Sequence, residues 1–325
     1  MKHKMKLPGI IFLVIVLLLV LVLGYSGLRF LESTVFQPES TGESGPGKTI
    51  VRDGVEYFPR QDITTIMIAG IDEDGPVKDS QSYNNPGESD MVTLLILDHT
   101  SEKIHMLNLN RDTMMQIPVL GVGGKSAGSI YGQLALAHTY GSGLEDSCEN
   151  LRKAVSDFLY GIRIDHYVVM NMDAIGILND AVGGVPVHVT DDFSAVDSTI
   201  PMGNVTLKGQ QAMTYVRTRR GVGDQMNLTR MERQKEYMKG FMEQLGKNIG
   251  DVQFVLSAYQ KVEPYMVTDC SSTTITSIAD RYGHYPLGET YAPKGENVSG
   301  KEFMEYHVDE EALDQLIMAL FYAPK

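Results

Sequence analysis

Residues 10–23 carry no polar side chain, and Leu7, Pro8, Gly9, Gly24, Tyr25, Gly27 and Leu28 extend the run without adding charge. Such a segment leaves a chain few options. A helix of about 20 largely apolar residues crosses the roughly 30 Å hydrocarbon layer of a bilayer. A helix buried in a water-soluble core would instead keep a polar stripe. Lys2, Lys4 and Lys6 precede the run, and the next Lys or Arg is Arg29. Positive charge marks the cytoplasmic side, so residues 1–7 are expected in the cytoplasm, with a transmembrane anchor over 8–28 and the rest beyond the membrane. A cleaved signal peptide is the competing reading, but it needs a small-residue cleavage site. Here Gly24, Ser26 and Gly27 alternate with Tyr25 and Leu28 and form no A-x-A pattern. The expected localisation is the cell membrane, single-pass, with the folded domain extracytoplasmic.

Past the anchor, a hydrophobic content of 43% and a charged content of 21% suffice for a packed core. Residues 38–48, rich in Gly, Ser, Glu and Pro, read as a flexible spacer, so 29–62 is taken as a linker and 63–325 as the catalytic domain. The formal net charge of -13 argues against nucleic acid as a partner and makes any local basic cluster informative. Two cysteines, Cys148 and Cys270, are too few for a disulfide scaffold, and their pairing stays open.

The runs ITTIMIAGID, MVTLLILDHT and KIHMLNLNRDT read as buried strands, and a long Gly-, Pro- and Asn-containing loop spans residues 72–90. GQLALAHTYG and SCENLRKAVSDFLYG space apolar residues at three and four and end at glycine, as helices do. A strand turning into a helix follows and stops at Gly183 and Gly184. VPVHVTDD reads as a strand, with helices expected in LKGQQAMTYVRTR, in NLTRMERQKEYMKGFMEQLGK, from Asp269 onward, and in DEEALDQLIMALFY. Alternating strands and helices predict an α/β class, here a three-layer α/β/α sandwich around a central mixed sheet.

Three features carry chemistry. Asp72 and Asp90 flank the long loop at strand ends, where converging carboxylates suit Mg²⁺, which keeps positions open for water or phosphate; loop-capping aspartates would look the same. Arg111 follows a buried strand, the place where ligand-facing residues sit in α/β folds, although an Arg111–Asp112 neighbour pair also fits a structural salt bridge. The segment 217–239 holds Arg217, Arg219, Arg220, Arg230, Arg233, Lys235 and Lys239 against only three acids, Asp224, Glu232 and Glu236. Guanidinium forks match phosphate oxygens. A solvated helix face accounts for Lys235 and Lys239 but less well for Arg217 and Arg219, which alternate around Thr218. Arg230 and Gln234, four apart, share a helix face. Acids for a metal and arginines for a diphosphate are the equipment of phosphoryl transfer. No Walker lysine, Rossmann glycine fingerprint, G-x-S-x-G elbow or zinc-spaced His/Cys set competes, and the histidines read as structural.

In order, IMIAGID…ESDMVTLLIL, LNLNRDT, GGVPVHV, LKGQQAMTYVRTR and NLTRMERQ resemble the LytR-CpsA-Psr family from about residue 65 to 234. The resemblance implies a membrane-anchored, wall-facing α/β/α phosphotransferase that moves a glycopolymer (teichoic acid, capsule or similar) from an undecaprenyl-pyrophosphate carrier to peptidoglycan. It implies Asp72 and Asp90 as the Mg²⁺-associated acids, and Arg111, Arg217, Arg219, Arg230 and Gln234 as pyrophosphate-facing residues, with Asp224 a weaker candidate. Three departures stand out: Glu88 where many members have arginine, Gln133 where many have lysine, and a longer loop between Asp72 and Asp90. In the mechanism so implied, a peptidoglycan hydroxyl attacks the phosphorus bearing the glycan, Asp72 or Asp112 accepts its proton, and undecaprenyl phosphate leaves. The segments QLALAHTYG and AIGILNDAVGG are expected either to line a prenyl groove or simply to pack in the core. A lipid-pyrophosphate hydrolase would use the same residues with water as acceptor. A non-catalytic membrane regulator would have only about seven cytoplasmic residues to signal with.

Overall fold

A computed structural model describes residues 49–218, 220–223, 227–248, 257–258, 260–270, 281–282, 285–301 and 303–324. The anchor over 8–28, the spacer over 38–48 and residues 271–280 of the helix expected after Asp269 lie outside the described residues. Among the described residues no helix is long and apolar enough to cross a membrane.

The chain enters through a hairpin, β1 (Ile50–Arg52) and β2 (Val55–Pro59). Asp53 (φ 49°) and Gly54 (φ 77°) both take positive φ between the strands, as the two-residue turn that matches strand twist requires. Strand structure therefore begins inside the stretch assigned to the linker. The Asp-Gly pair was its signal.

The three apolar runs form β3 (Ile63–Ile71), β4 (Ser89–Asp98) and β5 (Lys103–Leu109), paired antiparallel in sequence order. A hairpin not anticipated from the sequence follows, β6 (Met114–Leu120) and β7 (Ser126–Gln133). Most of β7 is exposed and polar or glycine-rich, so it has no apolar alternation to read. Residues 132–141, expected as an α-helix, instead finish β7 and make one 3₁₀ helix, Leu134–Thr139. Its first amides bond to the β5–β6 connection, Leu134 N–H donating to the Thr113 carbonyl and Ala135 N–H to the Arg111 carbonyl.

Helix α1 (Glu145–Phe158) leads to β8 (His166–Asn171), which pairs parallel with β3 and runs directly into α2 (Met172–Ala181). Asn171 is the α2 N-cap, its side chain accepting from Ala174 N–H. β9 (Val185–Val189) pairs with β10 (Gly203–Leu207). The basic segment forms α3 (Gln210–Arg217) and α4 (Asn227–Asn248). β11 (Met266–Thr268) pairs with β8, β12 (Leu287–Tyr291) with β5, and β13 (Gly295–Ser299) with β14 (Met304–Val308). Helix α5 (Glu310–Phe321) and β15 (Tyr322–Pro324) end the chain, with β15 pairing to β2.

The central sheet has the order β11-β8-β3-β4-β5-β12 and is mixed, with β3–β8 and β5–β12 parallel and the other pairs antiparallel. Alternation along β3 sends Met67, Ala69 and Ile71 into one core and Ile66 and Ile68 into another. The first core also takes Leu151, Ala154 and Val155 of α1 and Leu313, Ile317 and Leu320 of α5. The opposite face meets Met238 of α4, which also packs against the core of α2, β9, β10 and α3. A strand apolar on both faces is what a sheet covered on both sides demands. Cys148 and Cys270 are free thiols in these opposite cores.

Leu94 is fully buried in the middle of β4. Replacing it with alanine is expected to cost about 2–5 kcal/mol, read as a lower urea midpoint at unchanged m-value.

Candidate functional site

Sheet topology gathers the site. Because β4 runs against β3 and β5 while β8 runs with β3, the ends of β3, β5 and β8 and the start of β4 meet at one sheet edge. Asp72 follows β3, Asp90 is the second residue of β4, Arg111 lies two past β5, and Asn171 closes β8.

Asp90 is the hub. Its Oδ1 is gripped by Arg111 Nη1, and its Oδ2 receives Arg230 Nη1 of α4 at 2.9 Å. Asp90 and Arg230 are both buried, at 6% and 3% exposure. Arg111 is held on further sides, its Nη2 against Glu88 and its Nε 3.5 Å from Asp112. Asp112 is buried and receives Gln133 Nε2 at 3.2 Å, and the same amide donates to the Met304 carbonyl at 2.8 Å. Arg217 ends α3 with Nη2 2.5 Å from Asp72 Oδ1 and Nη1 3.6 Å from Asp74. This second pair is open to solvent, with side chains 37% and 35% exposed. Gln234 lies one turn along α4 from Arg230 and donates to the Val216 carbonyl at 3.2 Å, fixing the end of α3 beside it.

The structure thus brings together Asp72, Asp90, Arg111, Asp112, Arg217, Arg230 and Gln234. Arg219 and Asp224 lie outside the described residues. Lys235 and Lys239 are exposed, as a solvated helix face has them. Arg233, counted in the basic cluster but given no role of its own by the sequence, is buried. It donates to the Thr218 carbonyl, stands 3.5 Å from Asp191 and lies over the Phe193 ring at 5.2 Å. Its spacing of three from Arg230 was the available signal. Asp74 and Asn171 are further site residues for which the sequence offered no distinguishing pattern.

From the charged edge an open cleft runs between the sheet and helices α2, α3 and α4, with about 1160 Å³ of space that includes the solvent at its mouth. Asp90, Arg217, Gln234 and Asn171 line its polar end, and Ile68, Val168, Ile175, Leu178, Tyr237 and Phe241 are among its apolar walls. A neighbouring cleft of about 770 Å³ shares Asp90, Met91, Gln234 and Met238. Ile175 and Leu178 belong to AIGILNDAVGG, so that segment does line a groove. Leu134 and Ala137 of QLALAHTYG pack in the core beneath the other face.

For a metal, Asp72 offers one unshared hard oxygen, and Asp90 offers oxygens already shared with Arg111 and Arg230. Asp72 Oδ1 is closed to solvent and accepts no hydrogen bond, Arg217 standing close but out of alignment. Two carboxylates fit an ion that leaves its other positions to water and phosphate. Among the described residues, the one group of three potential ligands whose donor atoms lie within 4.8 Å of one another is a different one, His166, Asp269 and Cys270. It sits at the start of β8, the far edge of the sheet.

The sequence profile of the LytR_cpsA_psr family matches residues 38–320. The chain belongs to this family. A teichoic acid transferase, TagU of Oceanobacillus iheyensis, is 24% identical over 97% of this chain and 93% of its own length. Among solved structures, gbs0355 of Streptococcus agalactiae superposes at a TM-score of 0.65 with 22% identity, covering 80% of this chain and 86% of that one. TagT bound to LI-WTA superposes at 0.59 with 20% identity, covering 80% and 90%. These likenesses establish a mixed α/β fold around a central mixed sheet for this LytR_cpsA_psr protein.

In this member of the family the long 72–90 loop is pinned from beneath. Buried Asn85 donates to the His138 and Gly141 carbonyls, and Asp173 accepts from Gly75 N–H at 2.7 Å. His138 Nδ1 donates to the Gly87 carbonyl at 2.9 Å. Burial holds the His138 pKa down, to about 4. The folded imidazole therefore stays neutral while an unfolded one binds a proton below about 6.5. Stability is expected to rise with pH between about 4 and 6.5 through this group. His138→Asn should flatten that part of a stability–pH profile measured by urea denaturation.

Asp90→Asn removes the charge shared by Arg111 and buried Arg230. Breaking a buried ion pair by removing one charge costs about 3–5 kcal/mol, so the variant's urea midpoint is expected to fall accordingly.

Proposed function

We propose that this chain transfers a glycopolymer, a teichoic acid, capsular or related polymer, from an undecaprenyl-pyrophosphate carrier to peptidoglycan. The observation that carries the reading is continuity: the carboxylate–arginine edge opens straight into the apolar cleft, with Asp90, Arg217 and Gln234 in its polar wall. A prenyl pyrophosphate has that same polarity, a diphosphate head on a hydrocarbon tail. Methionines from five elements, Met91, Met170, Met172, Met238 and Met266, line the cleft. Unbranched, polarisable side chains adapt to a flexible tail. The TagU relatives' transferase naming and TagT's bound LI-WTA support the same substrate class.

The arginines divide the work. Arg230 is buried against Asp90 and positions it, whereas the more open Arg217 can turn from Asp72 and Asp74 to phosphate oxygens. Gln234 and Arg111 flank the head group, and Arg219 and Asp224 join the site on the family resemblance. Asp72 and Asp90 would hold Mg²⁺, which when bound supplies neutralisation of phosphate charge. The peptidoglycan hydroxyl oxygen bonds to the phosphorus bearing the glycan, and the bond from that phosphorus to undecaprenyl phosphate breaks. Of the two acids able to take the hydroxyl proton, Asp72 is the accessible one, since Asp112 is 3% exposed and tied to Gln133. The apolar segment 8–28 would anchor the enzyme in the leaflet that holds its substrate and raise their effective concentration.

Purified full chain, given lipid-linked glycopolymer and peptidoglycan with Mg²⁺, is expected to form the phosphodiester product, and Arg217→Ala to lower kcat/KM by roughly 100-fold or more. Unchanged transfer in Arg217→Ala would sink the proposal. Release of glycan phosphate just as fast without peptidoglycan would reassign the protein as a hydrolase.

A further inference from the structure

Arg111 is enclosed by three carboxylates, Glu88, Asp90 and Asp112. Both of its terminal nitrogens are engaged, Nη1 by Asp90 and Nη2 by Glu88, so a phosphate oxygen approaching that end competes with one of these carboxylates. Asp90 is committed to Arg230, and Asp112 to Gln133, and both acids are buried. Glu88 differs on both counts. Its side chain is 40% exposed, and its one described ion-pair partner is Arg111. Its backbone is nonetheless fixed, because the Glu88 carbonyl accepts from Asp72 N–H at 2.9 Å and the loop before it is pinned through Asn85 and Gly87. A tethered backbone carrying a solvent-reachable carboxylate is the arrangement of a displaceable stand-in for an anion.

We propose that Glu88 is a specificity-determining residue that occupies the anion position of Arg111 and must be displaced when a diphosphate binds. The inference rests on the prenyl-pyrophosphate reading above. Its consequence is selectivity by charge. A singly charged phosphate ester competes poorly with a carboxylate already in place, whereas a diphosphate, bridging Arg111 and Arg217, recovers the lost contact twice over. Glu88 is the solvent-facing partner of the pair, and a carboxylate screened by water on one side binds its guanidinium only modestly, so the gate discriminates without closing the site.

The test is calorimetric binding of geranylgeranyl pyrophosphate and geranylgeranyl monophosphate to the full chain in detergent with Mg²⁺. Glu88→Gln keeps the side-chain shape and removes the charge. It is expected to bind both lipids more tightly, by roughly three- to tenfold, with the larger gain for the monophosphate, so that the preference for diphosphate narrows. Glu73→Gln is the control for general charge: Glu73 is on the same loop and, among the described residues, makes no ion pair with Arg111, Arg217 or Arg230. It should shift affinity less than twofold. Wild-type binding with no gain in Glu88→Gln, weaker binding in Glu88→Gln, or an equal gain in Glu73→Gln each overturns the gate and leaves the substrate class standing. Failure of the wild-type chain to bind the diphosphate overturns the substrate class, and the gate with it.

Discussion

One buried carboxylate ties the active edge together. Asp90 is contacted through one oxygen by Arg111, near in sequence, and through the other by Arg230, which is 140 residues away. The two contacts join the start of β4, the turn after β5 and the face of α4. Burying three charged groups is expensive unless geometry compensates, and replacing such a cluster by apolar residues is often neutral or stabilising. Stability therefore does not explain its presence. Its use is positional: it sets α4 at a fixed height over the sheet, and both clefts lie along the line so defined.

The groove follows from the same placement. Residues of β3, β4 and β8 that alternate toward α4 end in small or flexible side chains near the edge, Gly70, Met91 and Met170. A Cβ built on Gly70 would meet Met91 Cβ at 3.5 Å, ordinary contact distance, so glycine here serves openness rather than backbone strain. Methionine at Met91 and Met238 fills the space between the two clefts without branching. Sheet and helix are thus packed at depth and loosely joined near the charged edge, where a flexible hydrocarbon chain could replace side-chain contacts.

Most of this was legible from sequence because the signals were strong and local. The strands β3, β4 and β5 are apolar on both faces. Helices α1, α4 and α5 carry long periodic patterns, and Arg111, Arg217 and Arg230 follow or sit within recognisable elements. What escaped lacked a local signal. β7 is glycine- and serine-rich and gains its place from pairing with β6, a tertiary fact. The segment 134–139 is buried on most sides, so apolar spacing could not separate a 3₁₀ turn from an α-helix. The pairing of Arg230 with Asp90 depends on sheet order, which no spacing encodes. Glu88 was visible as a departure, but its grip on Arg111 required the loop's fold.

Charge bookkeeping at the edge constrains any ligand. Asp72, Asp74, Glu88, Asp90 and Asp112 face Arg111, Arg217 and Arg230, five acids to three arginines. The two site candidates outside the described residues, Arg219 and Asp224, would cancel each other. An anion entering such an edge meets a net negative field unless a cation accompanies it or an acid withdraws. The arginines are already neutralised by resident carboxylates, so they act as donors waiting for exchange rather than as an open positive patch. Exchange is easiest at the solvated Arg217–Asp72 pair, intermediate at Arg111, whose partner Glu88 alone is open, and hardest at the Asp90–Arg230 pair. The gradient runs from the solvent-facing loop inward. It selects a ligand that brings its own counter-ion and reaches the buried hub last.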